Sequence, residues 1–346
     1  MSALGHKTTS ACRKRSSPQS LDAAEHAAYV AERVRDAGML TRETVQVTST
    51  RERIWIERAG ARIAVARWGD AKADMPPVLL VHGTGFVAEI WEDIARTLAL
   101  NHVVYSFDRR GHGASHKPET HQYHFLDFAL DACAVVETLQ LSGVFGIGHS
   151  AGGTDLLLAA KLLPNHFSRL FVIEPTVMNP AAVPSDGGKL SDASVDFIQQ
   201  MRRRRAEFTS GTAAFQRLRA SPTFANWSEP ALWTYLQYGF EHLQEGRIQL
   251  LCKPDIEAAM LVPICEAIEQ VYAGDERGNP FSWLSEIKCP VRIATTEHSA
   301  AIHKEMVARA FTLIPTASRW KFDGVGHCMP QEAPELLLEA LHQFAG

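Results

Sequence analysis

The stretch GIGHSAGG, residues 146–153, decides how the chain is read. Its residues are nearly all small or polar, yet it continues an apolar run and leads into TDLLLAAKLL (154–163), which has the composition of a buried helix. A strand, a sharp turn and a helix account for this. Gly148-His149-Ser150-Ala151-Gly152 matches Gly-x-Ser-x-Gly, with the serine at the apex of the turn. The flanking positions must be glycine because a side chain there would strike the crossing backbone. The turn lifts the hydroxyl out of the sheet, and the N-terminus of the next helix points free amides at the same spot, which favours a developing negative charge.

Working outward, PPVLLVHG (76–83), HVVYSFD (102–108), GVFGIGH (143–149), RLFVIEP (169–175), PVRIATT (290–296) and SRWKFDG (318–324) are short apolar runs separated by segments of helical length. Such alternation predicts a mostly parallel sheet covered on both faces, an α/β fold. Before it, RIWIERAGARIAVARW (53–68) reads as a hairpin turning at Gly60, and LDAAEHAAYVAERVRDAGML (21–40) as a helix. Between Pro175 and Trp283 the alternation stops, with helical stretches and no convincing strand. So long an insertion predicts a small helical domain over one edge of the sheet. Its Trp227, Trp233, Tyr235, Tyr238, Phe240 and Trp283 are expected mostly in that domain's own core, with one or two lining a pocket.

Three further stretches supply parts that acyl transfer requires. HGTG (82–85) follows the first central strand, where the Thr84 amide, with Gly85 as a further candidate, can join Ala151 in an oxyanion hole. DRRGHGAS (108–115) follows the next strand, and GVGHCMP (324–330) presents His327 on a loop after the last. Together HGTGF, DRRGHGAS, GHSAGG and GVGHC stand in an order and spacing that resemble the α/β-hydrolase fold over residues 78–346. The resemblance implies an eight-stranded sheet, a nucleophile on Ser150, a base on His327 and a helical cap after residue 175. The expected division is a basic tail at 1–20, core at 21–178, cap at 179–284 and core again at 285–346.

The acid of the triad departs from the commoner family pattern. The position after the seventh strand reads Thr296-Glu297-His298-Ser299, and Ser299 stands where an Asp is expected. Glu174 ends the sixth strand, in a position resembling the acid site of haloalkane dehalogenases, and a carboxylate there is costly to bury unless something needs it. Glu174 is therefore the expected acid and Glu297 the alternative. Asp108 reads as an ion-pair or turn residue; His82, His112 and His149 read as loop-fixing hydrogen-bond partners, with no metal site.

The expected activity is hydrolysis of a largely apolar carboxylic ester or lactone through an acyl-enzyme, without a cofactor. Phe86, Trp91, Trp227 and Trp233 are candidate substrate contacts. Diketone hydrolysis and cofactor-free haloperoxidase-type activity are alternatives, and a non-catalytic ligand sensor is a further rival. GTGFVA (83–88) also fits the dinucleotide fingerprint of an NAD(P)-dependent oxidoreductase, but GIGHSA fits it equally, and that reading leaves Ser150, Glu174 and His327 without roles.

The 346 residues are 46% hydrophobic with net charge −4, which argues against a general nucleic-acid binder. No apolar run approaches the ~18 residues of a membrane span, and no signal-peptide segment opens the chain, so a cytoplasmic location is expected. Cys12, Cys133, Cys252, Cys265, Cys289 and Cys328 form no Cys-x-x-Cys pair and read as core thiols. Lys7, Arg13, Lys14 and Arg15 mark a basic, disordered tail, and the RRRR run at 202–205 reads as a solvated helix end. Oligomeric state is not legible.

Overall fold

The computed structural model describes residues 51–72, 74–119, 123, 125–177, 192–262 and 280–345. The expected tail and the helix at 21–40 lie outside these residues, as do Cys12 and Cys265. Strands β1 (Glu52–Arg58) and β2 (Ala61–Trp68) form the expected antiparallel hairpin, with Arg58 opposite Ala61. Its two-residue turn puts Ala59 at φ 48° and Gly60 at φ 75°, the double positive φ that matches the twist of paired strands.

The six apolar runs become β3 (Val78–Val81), β4 (Val104–Phe107), β5 (Val144–His149), β6 (Phe167–Ile173), β10 (Val291–Thr296) and β11 (Ala317–Phe322). The sheet order is β1-β2-β4-β3-β5-β6-β10-β11, antiparallel at β1–β2 and β2–β4 and parallel thereafter. Alternate residues feed two cores: Val78 and Leu80 join Phe145, Phe171 and Trp91 on one face, while Leu79 and Val81 join Phe107, Leu157 and Val172 on the other. Both faces being covered explains why these strands read as continuous apolar runs. Helices α1 (Glu92–Leu98), α2 (Phe125–Thr138) and α3 (Ala151–Leu162) follow β3, β4 and β5.

Between β6 and β10 lie α4 (Asp192–Arg202), α5 (Gly211–Arg219), α6 (Glu229–Tyr238) and helical residues 254–262, as expected. Ser210 and Ser228 cap α5 and α6 by accepting from Ala213 N and Ala231 N. Two expectations are corrected here. β7 (Glu207–Phe208), β8 (Phe240–His242) and β9 (Ile248–Leu250) form a three-stranded antiparallel sheet, whose strands of two or three residues are too short to show a period of two. Among the described residues the insertion's aromatics also form no core of their own: Trp227, Tyr235 and Phe240 share one apolar cluster with Trp68, Trp91 and Ile147 of the sheet layer. The arginine run leaves the helix after Arg202; Arg204 pairs with Glu257, and Arg202, Arg203 and Arg205 are exposed.

The chain closes with α7 (Ala301–Leu313), α8 (Met329–Glu332) and α9 (Pro334–Ala345). Among the described residues no helix is long and apolar enough to cross a membrane.

Candidate active site

The carboxyl ends of β3, β5, β6 and β10 converge beside the point where the strand order reverses, the usual place for a ligand crevice in an open α/β sheet. Ser150 sits there between β5 and α3 with φ 53° and ψ −125°. Its positive φ costs on the order of 1–3 kcal/mol for a residue with a Cβ, strain that clusters at functional sites. The flanking glycines are sterically required. A Cβ on Gly148 would lie 2.6 Å from the Gly153 Cα, and one on Gly152 would collide with the carbonyls of Val81 and His82.

Glu174 shares this strain, at φ 46°, one residue beyond β6. The Ser150 amide donates to the Ile173 carbonyl at 2.9 Å and the Glu174 amide to the Ala294 carbonyl at 2.9 Å, which ties the two turns to neighbouring strand ends. The Glu174 side chain is buried and surrounded by donors. Oε1 accepts from the Thr296 amide at 2.9 Å and the Thr296 hydroxyl at 3.0 Å; Oε2 accepts from Ser299 Oγ at 2.5 Å and His327 Nδ1 at 2.6 Å. Burial alone would push this carboxyl up, but the bonds from His327, Ser299 and Thr296 outweigh it and hold the pKa at about 2. The group is therefore an anion facing His327.

Glu297 does not reach His327. Its side chain is exposed and accepts from the Gly324 amide at 2.8 Å, which corrects its candidacy as the acid. Ser299, read in the sequence as the place where an acid is missing, supplies a hydroxyl to the acid that arrives from β6. An imidazole whose Nδ1–H is fixed on a carboxylate presents Nε2 as a proton acceptor.

The three loop histidines are neutral. His82 and His149 have pKa values lowered to about 3 by burial, and His112 is likewise pushed well below its ordinary value. Each neutral ring can accept at one nitrogen and donate at the other. His82 Nε2 accepts from the Arg109 amide and His112 Nε2 from the Gly85 amide, at 3.1 and 2.9 Å. His149 Nε2 meets the His327 carbonyl at 2.8 Å, so the residue before Ser150 braces the loop that carries His327. Asp108 accepts from the Ala88 and Ala114 amides, both at 2.8 Å, as a turn residue does.

Gly85 is corrected as an oxyanion donor because its N–H is committed to His112. Thr84 and Ala151 both line a narrow pocket together with Arg109, Asp155, Phe128 and Met260. Its cavity volume of about 20 Å³ is enough to hold a water molecule. Arg109 and Asp155, missed by the sequence reading, form a buried pair in its wall, with Nε–Oδ2 at 2.5 Å and Arg109 Nη1 donating to Thr84 Oγ1 at 3.2 Å. Asp155 was the available signal, as the lone acid in TDLLLAA.

Phe86, Trp91, Trp227 and Trp233 stand outside the lining of this pocket. Phe86 and Trp227 pack edge to face at 5.1 Å inside an aromatic cluster with Phe224 and Tyr235, Trp91 is fully buried, and Trp233 stacks on Phe215. These rings bury area between the insertion and the sheet. His303, which the sequence reading did not single out, lies stacked on His327 at 3.8 Å.

Comparison with known proteins agrees with this fold. A 2-(acetamidomethylene)succinate hydrolase from Mesorhizobium japonicum is 21% identical over 79% of this chain and 89% of its own length. A non-heme chloroperoxidase from Streptomyces lividans is 32% identical over 43% of this chain, a match spanning 54% of that protein. The crystal structure of an E-2-(acetamidomethylene)succinate hydrolase superposes with TM-score 0.67 at 19% identity, covering 86% of this chain and 99% of that one. The profile of the alpha/beta hydrolase family matches residues 78–340, which include the Ser150 elbow, Glu174 and His327, and the chain belongs to that family.

Proposed function

We propose that the protein is a serine hydrolase that cleaves a carboxylic ester or lactone through an acyl-enzyme on Ser150. The observation that carries this reading is the Glu174–His327 pair, with Nδ1 held at 2.6 Å, at the same strand ends where Ser150 stands strained on its elbow. His327 Nε2 takes the Ser150 proton as Oγ attacks the acyl carbonyl, and Glu174 stabilises the imidazolium that forms. The amides of Thr84 and Ala151 receive the oxyanion; neither has an acceptor among the described residues. His327 returns the proton to the leaving group, and water then repeats the sequence on the acyl-enzyme. The insertion acts as a cap, and the site works in the cytoplasm without a cofactor.

The chloroperoxidase likeness supports a second reading, haloperoxidase-type activity on the same three residues. Labelling with a fluorophosphonate, read by peptide mass spectrometry, tests the first. The adduct is expected on Ser150, absent from Ser150→Ala and much slower in Glu174→Gln. A folded wild type that takes no label contradicts the assignment.

A further inference from the structure

His303 is the group in the site for which the proposed acyl transfer has no use. It lies on α7, four residues after Ser299, and its ring stacks on His327 with an interplanar angle of 18°. Its Nδ1 is buried and has no hydrogen-bond partner among the described residues, yet it stands 3.8 Å from Glu174 Oε2, the same oxygen that His327 Nδ1 contacts. One donor atom from each of Glu174, His303 and His327 lies within 4.8 Å of the others.

Two imidazoles and one carboxylate are a donor set that suits zinc and its first-row neighbours, with ligand distances of about 2.0–2.2 Å. Donors around such an ion stand roughly 3.3–3.6 Å apart in a tetrahedron. The His303–Glu174 separation is close to that spacing. The short His327–Glu174 contact must open by under ~1 Å as the ion replaces the bridging hydrogen, and the His303 ring must tilt out of its stack to aim the Nδ1 lone pair. Magnesium and calcium, which prefer oxygen shells, fit this set poorly.

We propose that Glu174, His303 and His327 form a binding site for a divalent transition ion of the zinc type, and that the ion reversibly inhibits the enzyme. The consequence for catalysis rests on His327 being the base proposed above. The ion accepts the Nδ1 electron pair of His327 and displaces the proton there to solvent. The neutral ring takes a proton from solvent at Nε2, so the proton count of the imidazole is unchanged. Nε2 is then a donor and cannot accept the Ser150 proton, and Glu174 is drawn to the metal.

Metal-stripped full-length protein is titrated with Co²⁺, read by its visible d–d absorption, and with Zn²⁺ by calorimetry; ester hydrolysis is followed in parallel. The expected result is one ion per chain with a micromolar or tighter Kd, loss of activity with the same midpoint, recovery on adding EDTA, and no effect of Mg²⁺. His303→Phe, which keeps a ring on His327 without a donor, is expected to weaken binding at least tenfold. His303→Ala serves as a second variant should that one misfold, and each is compared with its own zinc-free rate. Equal affinity in wild type and the variants overturns the site, as does absence of binding at millimolar metal. Binding without inhibition overturns the inhibitory role. Binding is measured without turnover, so failure of the hydrolase assignment and failure of the metal site give different results.

Discussion

Replacing Ser299 by alanine removes one of the bonds that keep Glu174 ionised. The hydroxyl donates to Oε2 at 2.5 Å and is itself buried, within 2.6 Å of Thr296 Oγ1. A hydrogen bond to a buried charge contributes about 1.5–3 kcal/mol, and Ser299→Ala is expected to destabilise the protein by that amount at pH 7. The pH dependence gives the cause. Glu174 has a folded pKa lowered from 4.5 to about 2, so its contribution is full above 4.5 and is lost as pH falls through about 2. The difference between wild type and variant should therefore be constant from pH 8 to 5 and shrink as pH drops toward 3. Activity at pH 7 should fall by no more than ~10-fold, because the carboxyl stays ionised without Ser299. Urea unfolding at several pH values, with kcat measured beside it, makes the test. A loss below about 0.5 kcal/mol, or one of equal size at pH 3 and pH 7, would mean that Ser299 does not act on the charge of Glu174.

Three further outcomes follow from the same structure. His82, His112 and His149 have folded pKa values below 6.5, so the stability of their neutral forms is complete above 6.5 and declines as pH falls below it. Each lowers the unfolding free energy by roughly 1.3 kcal/mol between pH 7.5 and 5.5, with the buried Glu89 carboxyl, pushed up by burial and Asp108, opposing part of the loss. A flat urea-unfolding profile over that range contradicts it. Gly152→Ala should cost at least ~2 kcal/mol or prevent folding, since its Cβ meets the Val81 and His82 carbonyls; a wild-type melting temperature speaks against the elbow. Cys133, Cys252, Cys289 and Cys328 are buried, and burial pushes all four thiols up, so native protein should expose no more than two of its six thiols to a disulfide reagent. Titration of three or more before unfolding would overturn that.

The parts legible in the sequence are those where local sterics or double-sided burial leave one solution. VLLV reads as a strand because both faces of β3 are covered, and the Ser150 elbow reads correctly because nothing larger than glycine fits at 148 and 152. Glu174 was visible as a charge at the end of an apolar strand. What stayed hidden depends on how distant segments meet. Ser299 looked like a missing acid because one sequence cannot show that a carboxylate from β6 arrives beside it. His303 reaches His327 only through the return of α7 across the strand ends. That Trp227 and Tyr235 pack against the sheet layer and not in a core of their own is invisible to composition, which does not tell which element a ring meets.

Ser150, His327 and Glu174 are proposed to act together on an acyl substrate. The most direct measurement is kcat/KM on a panel of p-nitrophenyl esters and simple lactones for wild type, Ser150→Ala, Glu174→Gln and Glu297→Gln. Turnover is expected in wild type and in Glu297→Gln, with a loss of roughly 10³-fold or more in Glu174→Gln and none above background in Ser150→Ala. Full activity in Glu174→Gln, or turnover that survives in Ser150→Ala, would contradict it.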